Sequence, residues 1–219
     1  MILLLLLLAA TASELDVPVG SWRHVAKAAP VGTCDGMVNS YQCALAVETQ
    51  RLRSTSVGVC RDGTVLRITL KSGAVLKLAD EPGDRGAKYT YVDRLSSGHH
   101  LVHVQYYEDG GYMLIEPRTG SQFELEEYPS FSPDGEYVVT VAPLDSEQRA
   151  LRVKVLQSGA YLSLVWEGEL GEATKGYGYG WLSPTNVIVV RRAEDGTEQR
   201  QCIERANKGW VILSCRPAA

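Results

Sequence analysis

The chain has 219 residues, with 22 Lys and Arg against 26 Asp and Glu and a formal net charge of −4. Acids and bases are interspersed and no basic stripe runs along the sequence, which argues against nucleic acid as a partner. A chain of this length fits one ordinary domain or two small ones and can bury a sizeable core unaided.

Met1-Ile2 is followed by six leucines, Leu3 to Leu8, and then by Ala9-Ala10-Thr11-Ala12. An apolar run ending in Ala-x-Ala reads as a secretory signal peptide over residues 1–12, although no Lys or Arg precedes it. It is too short to span a bilayer as a helix. No later stretch is apolar enough to do so. The expected location is therefore outside the cytosol, periplasmic or extracellular, with no membrane span.

Residues 13–56 read as an irregular segment punctuated by Pro18, Gly20, Pro30, Gly32 and Gly36, with one short helix over 40–52. Asn39 or Ser40 can cap that helix, and Tyr41, Ala44, Leu45 and Leu52 recur near helical spacing. From Val57 to the end the pattern changes to strands. Runs such as "VLRITL", "HLVHVQYY", "YMLIE", "YVVTVA", "LRVKVL", "YLSLVW" and "NVIVV" are rich in β-branched and aromatic residues. Between them glycine follows a small or polar residue, as at Asp62-Gly63, Ser72-Gly73, Ser97-Gly98, Thr119-Gly120, Asp134-Gly135 and Asp195-Gly196. Tight hairpin loops need positive φ there. The expected fold is all-β, an up-and-down meander.

An exported chain meets an oxidising space, so its cysteines are expected to pair. In "CIERANKGWVILSC" a two-residue Lys208-Gly209 loop sets Asn207 opposite Trp210. Counting outward places Cys202 directly opposite Cys215, on a non-hydrogen-bonded pair where a disulfide fits. Cys34 and Cys43 form a second expected bridge, which leaves Cys60 as a buried free thiol. No C-x-x-C spacing points to a metal, and no cofactor is expected.

The strand-turn-strand phrase "LRITLKSGAVLKL" recurs as "LRVKVLQSGAYLSL", and more loosely as "MLIEPRTGSQFEL" and "CIERANKGWVIL". The turn glycines Gly73, Gly120, Gly159 and Gly209 are 47, 39 and 50 residues apart. A second phrase, "FSPDGEYVVT" from Phe131, is echoed by "LSPTNVIVV" from Leu182, with Ser132 and Ser183 51 residues apart. Periods of about 40–50 residues are those of β-propeller blades. The sequence Phe131-Ser132-Pro133-Asp134-Gly135 followed by valines resembles the blade-opening motif of WD-repeat and TolB-type β-propellers. That resemblance implies a turn between the first two strands of a blade. The chain holds about four units, so the expected arrangement is a small or incomplete propeller-like domain over 57–219; a β-sandwich is the alternative.

Candidate chemistry is sparse. His99, His100 and His103 form the one histidine cluster, but on a strand His99 and His103 are roughly 13 Å apart and His100 points to the other face. They read as strand histidines, partly exposed or hydrogen-bonded. Glu124, Glu126 and Glu127, beside Glu108 and Asp109, could supply paired carboxylates for glycoside hydrolysis; "FELEEY" reads instead as a strand with one wet face. "GYGYGW" lacks the Lys and the following helix of a phosphate loop. Its glycines ease close strand packing while Tyr177, Tyr179 and Trp181 alternate faces. Those three, with Tyr106, Tyr107 and Tyr112 around the "EDGG" turn, are the candidate binding residues. "DRGAKYTYV" resembles, through Gly86, Ala87, Lys88 and Tyr89, the Gly-Ala-Lys-Tyr phrase of bacterial C-type lysozyme inhibitors, which implies a loop that plugs an enzyme. The expected function is an exported, non-enzymatic binding module for a protein or another cell-envelope component. The alternatives are a secreted hydrolase with acids or histidines drawn from separate blades, and an inhibitor of a lysozyme-like enzyme.

Overall fold

The computed structural model describes residues 40–54, 58–83, 86–95, 97–106, 110–144, 150–159, 161–171 and 176–215. The expected signal peptide, the segment 13–39, Cys34 and Tyr107 lie outside them.

Helix α1 spans Ser40–Ser54, two residues beyond its expected end. Arg51 and Arg53 occupy its last turn, where cations suit the helix dipole. Its buried face carries Cys43, Ala44, Val47 and Glu48.

The rest is four antiparallel meanders, each running in chain order. The first contains β1 (Val59–Asp62), β2 (Val65–Thr69) and β3 (Val75–Ala79). The second contains β4 (Lys88–Arg94), β5 (His100–Gln105), β6 (Gly110–Ile115) and β7 (Gln122–Leu125). The third contains β8 (Ser130–Phe131), β9 (Tyr137–Pro143), β10 (Leu151–Gln157) and β11 (Ser163–Leu170). The fourth contains β12 (Gly176–Ser183), β13 (Asn186–Arg192), β14 (Glu198–Ala206) and β15 (Gly209–Ser214). The four repeated phrases are the last hairpins of these sheets, β2–β3, β6–β7, β10–β11 and β14–β15. Gly73, Gly120 and Gly209 take the expected positive φ, at 85°, 77° and 125°, whereas Gly159 does not.

Successive sheets pack face to face, because strand side chains alternate between faces. On β6, Met113 and Ile115 join Leu66, Ile68 and Leu78 of the first sheet. Tyr112 and Leu114 point the other way, into a cluster with α1 and with Phe131 and Leu156 of the third sheet. Val139, Val141, Val153 and Val155 then meet Tyr177, Tyr179, Val187, Val189 and Ile203 of the fourth. No cluster of described residues joins the first sheet to the fourth.

The Phe131 phrase builds the turn expected of it, between the first two strands of the third sheet. The Gly135 amide donates to the Ser132 carbonyl at 2.9 Å, and Gly135 has φ of 75°. Ser132 Oγ donates to Asp134 Oδ1 at 2.6 Å and accepts from the Tyr137 amide at 2.9 Å. Asp134 is thus a turn-forming residue, held below the usual carboxylate range by the Ser132 hydroxyl. Ser183 occupies the matching place between β12 and β13, and its Oγ accepts from the Thr185 amide at 3.3 Å. Ser97-Gly98 turns likewise between β4 and β5, with the Gly98 amide on the Leu95 carbonyl at 2.8 Å.

The last hairpin differs from expectation in register. Its loop is Asn207-Lys208, Ala206 faces Gly209, and Cys202 faces Leu213 rather than Cys215. Moving a two-residue loop by one position slides the opposed pairs by two. The Cys202–Cys215 disulfide forms all the same, across a diagonal with Cα atoms 4.9 Å apart. Cys43 is also disulfide-bonded, to a partner outside the described residues. Cys60 is free as expected, but exposed rather than buried: it alternates with Val59 and Arg61 on β1 and so points away from the second sheet.

Candidate functional site

The first strands of two sheets are closed off by side chains. On β4 the Tyr89 amide donates to Asp80 Oδ1 at 2.9 Å and the Tyr91 amide to Glu48 Oε1 at 2.7 Å. Arg61, from β1, joins the two acids. It pairs with Glu48 through Nε and Nη2, reaches Asp80 Oδ2 through Nη1 at 3.1 Å, and donates to the Tyr89 carbonyl. Tyr41 of α1 donates to the same Asp80 oxygen, and burial followed by that bond raises its hydroxyl pKa. The Glu48 side chain is 1% exposed. Two carboxylates therefore converge, but a guanidinium and two strand amides occupy them. This is the arrangement of a structural ion network that covers a sheet edge.

On β8 the ties come from the next sheet. Trp181 Nε1 donates to the Ser130 carbonyl at 2.9 Å, and Tyr179 Oη donates to the Tyr128 carbonyl. Both bonds link residues 51 apart, the offset that separates Ser132 from Ser183. Aligned on their turns, Tyr91, Tyr128 and Tyr179 hold one position in three successive sheets.

The aromatic candidates divide between interior and surface. Tyr177, Tyr179 and Trp181 do not alternate faces; two residues apart on a pleated strand, they share the face toward the third sheet. Tyr112, Tyr177 and Tyr179 are buried. Burial first, then the Glu127 carboxylate, raises the pKa of all three hydroxyls. The Tyr177 and Tyr179 rings stack 6.5 Å apart, while Tyr112 sets its edge against Tyr128 at 5.5 Å. Trp181 packs edge-on to Trp210 at 5.9 Å. Tyr106, just past the end of β5, is exposed.

His99, His100 and His103 are buried, more deeply than expected, because the second sheet is covered on both faces. His100 Nδ1 lies 3.2 Å from Tyr91 Oη, and His99 Nδ1 lies 3.0 Å from Ser97 Oγ. His103 Nδ1 has no partner. Burial pushes the pKa of both His100 and His103 down to about 4 and lowers that of His99. Glu126 takes Lys154 at 2.7 Å and Arg152 at 3.3 Å on the exposed surface. Lys88, of the inhibitor-like phrase, lies over the Tyr41 ring at 4.8 Å, and Ala87 is buried. Among the described residues no group of three or more His, Cys, Asp or Glu is disposed to hold a metal ion. No helix among them is long and apolar enough to cross a membrane.

The last strands are different. Leu164 and Val165 on β11, and Val211, Ile212 and Leu213 on β15, are large apolar side chains left exposed, with Tyr161 just before β11. Both strands are sheet edges. They are also neighbours: a Cβ at Gly168 of β11 would lie 3.4 Å from Ile212 Cδ1. In β15, paired on one side only, antiparallel alternation leaves every second amide and carbonyl directed away from β14. Sequence reading missed this surface. The signal was Val211-Ile212-Leu213, three consecutive apolar residues in a terminal strand, too many for a strand with one buried face.

Comparison of the chain with family models, with curated proteins and with solved structures finds no match to any of them.

Proposed function

We propose that this protein is an exported, non-enzymatic binding module, a small propeller-like arrangement of the WD-repeat or TolB kind, that docks a protein or another cell-envelope component. One observation carries the reading: the apolar rim formed by β11 and β15. Exposed clusters of this kind are characteristic of interaction sites, and an open edge strand can add a strand from a partner. The polar groups that could do chemistry are engaged elsewhere, Glu48 and Asp80 with Arg61, His100 with Tyr91. The Cys202–Cys215 disulfide and the leucine-rich N-terminus support export.

Affinity capture from an envelope extract tests it, with the oxidised chain and a Leu164→Lys/Leu213→Lys variant in parallel. The reading expects a partner held by the native chain and lost, at least tenfold, by the folded variant. Equal recovery by both overturns it.

A further inference from the structure

Among the described residues eight strands lie at sheet edges, and all but one are blunted in the ways that proteins use against stray pairing. β1, β3 and β7 are short and carry charge, at Asp62, Lys77 and Glu124. β4 and β8 are tied by side chains. β11 is bulged at Val165 and carries Glu167 and Glu169. β12 shifts register beside Trp181, and its Tyr179 and Trp181 bond to the third sheet.

β15 has none of these devices. It holds no charged residue and no proline, and its register on β14 is unbroken from Gly209 to Ser214. The Cys202–Cys215 disulfide pins its far end to β14. Its outward main-chain groups can be named. In a two-residue hairpin the pair closing the loop is hydrogen-bonded, and bonded and non-bonded pairs alternate from there. Ala206 closes on Gly209, so Val211 and Leu213 bond to β14, while Trp210, Ile212 and Ser214 direct their amides and carbonyls outward. The Arg205 amide agrees: it turns away from Trp210 and donates to the Thr185 carbonyl at 2.9 Å. Val211 and Leu213 stand exposed on one face of this edge, and Lys208 is exposed at its loop end.

Resting on the reading of the outer strands as an interaction surface, we propose that β15 takes its partner by strand addition. The partner is an extended segment, uncharged but for an acidic residue at its C-terminal end. It runs antiparallel to β15, exchanges main-chain bonds with Trp210, Ile212 and Ser214, and sets apolar side chains over Val211 and Leu213. A charge elsewhere in the segment would lose water against an uncharged strand and gain no ion partner; Lys208 supplies one at the loop end. Main-chain bonds give such a complex its affinity and alternate side chains its specificity.

The probe is the peptide acetyl-Thr-Val-Thr-Val-Thr-Glu-amide, titrated into the full oxidised chain, with amide exchange followed by NMR. Slowed exchange at Trp210, Ile212 and Ser214 is expected. Methylating the threonine amides, which face β15 in this register, is expected to weaken binding at least tenfold; methylating the valine amides, which face away, leaves it unchanged. Equal binding of both methylated peptides, no binding of the parent peptide, or amides already protected because two copies of the chain pair through β15 overturns the proposal. On the protein side, Ile212→Pro removes one outward donor without touching the β14 ladder, and Ile212→Ala is its control. Ile212→Pro is expected to bind at least tenfold more weakly than Ile212→Ala. Envelope capture separates strand addition from the reading it rests on. A partner lost by Leu164→Lys/Leu213→Lys but kept by Ile212→Pro overturns strand addition alone; a partner kept by both overturns the interaction surface as well.

Discussion

Two first-strand edges, β4 and β8, and two last-strand edges, β11 and β15, are finished in opposite ways. Along β4 the free amides of Tyr89 and Tyr91 are taken by Asp80 and Glu48, and Arg61 neutralises both acids. Along β8 the carbonyls of Tyr128 and Ser130 are taken by Tyr179 and Trp181. Along β11 and β15 large apolar side chains stand exposed instead. An open edge invites a further strand, and proteins normally blunt it. Here β4 and β8 are tied by specific hydrogen bonds, and β11 and β15 leave large apolar side chains exposed. The lesson is a division of labour. Side-chain hydrogen bonds tie the first strands β4 and β8, and exposed apolar surface marks the last strands β11 and β15.

That contrast can be broken at several points. Glu48→Ala is expected to cost most, about 3–5 kcal/mol, because it leaves the Arg61 charge half-paired and orphans the Tyr91 amide in a buried site. Urea denaturation measures it, and a loss below about 1 kcal/mol would make the network ornamental. The histidines of the second sheet come next. His100 and His103 titrate near 4 in the folded chain and near 6.5 when unfolded. Between those values the unfolded state binds more protons. Stability is therefore full above about pH 6.5 and falls as pH drops toward about 4, by at most about 1.4 kcal/mol per pH unit for each histidine. His100→Gln/His103→Gln should flatten that slope; a slope unchanged in the double variant contradicts the assignment.

Trp181→Phe removes the donor to Ser130 and should cost about 1–3 kcal/mol, seen as a lower denaturation midpoint. At the other kind of edge the stability effect should nearly vanish. Val211→Lys or Leu213→Lys is expected to change stability by no more than about 0.5 kcal/mol while weakening partner capture. A large stability loss there would mean that β15 belongs to the core.

Much of the fold was legible because glycine marks its own turns. Gly73, Gly98, Gly120, Gly135 and Gly196 all take positive φ where a small or polar residue precedes them. The helix was found to within two residues, and the Cys202–Cys215 bridge was found through a register that is wrong. Asn207-Lys208 and Lys208-Gly209 both offer a residue that tolerates positive φ, so the loop position was ambiguous by one. The depth of burial was not legible. "HLVHVQ" reads as a strand with polar histidines, and nothing local reveals that its sheet is covered on both sides. The Glu48–Arg61–Asp80 network was invisible for another reason: its members come from α1, β1 and the end of β3, and no spacing in the chain announces them. The three equivalent tyrosines, Tyr91, Tyr128 and Tyr179, could have been found by aligning the sheets on their first turns rather than on their last hairpins.

The central claim is that this chain meets its partner along its apolar outer strands. Hydrogen exchange of the oxidised chain, with and without the partner recovered by capture, tests it most directly. The account predicts slowed exchange in β11 and β15, with the amides of β4 and β8 unchanged. Protection confined to β4, β8 or the loop around Glu127 would contradict it.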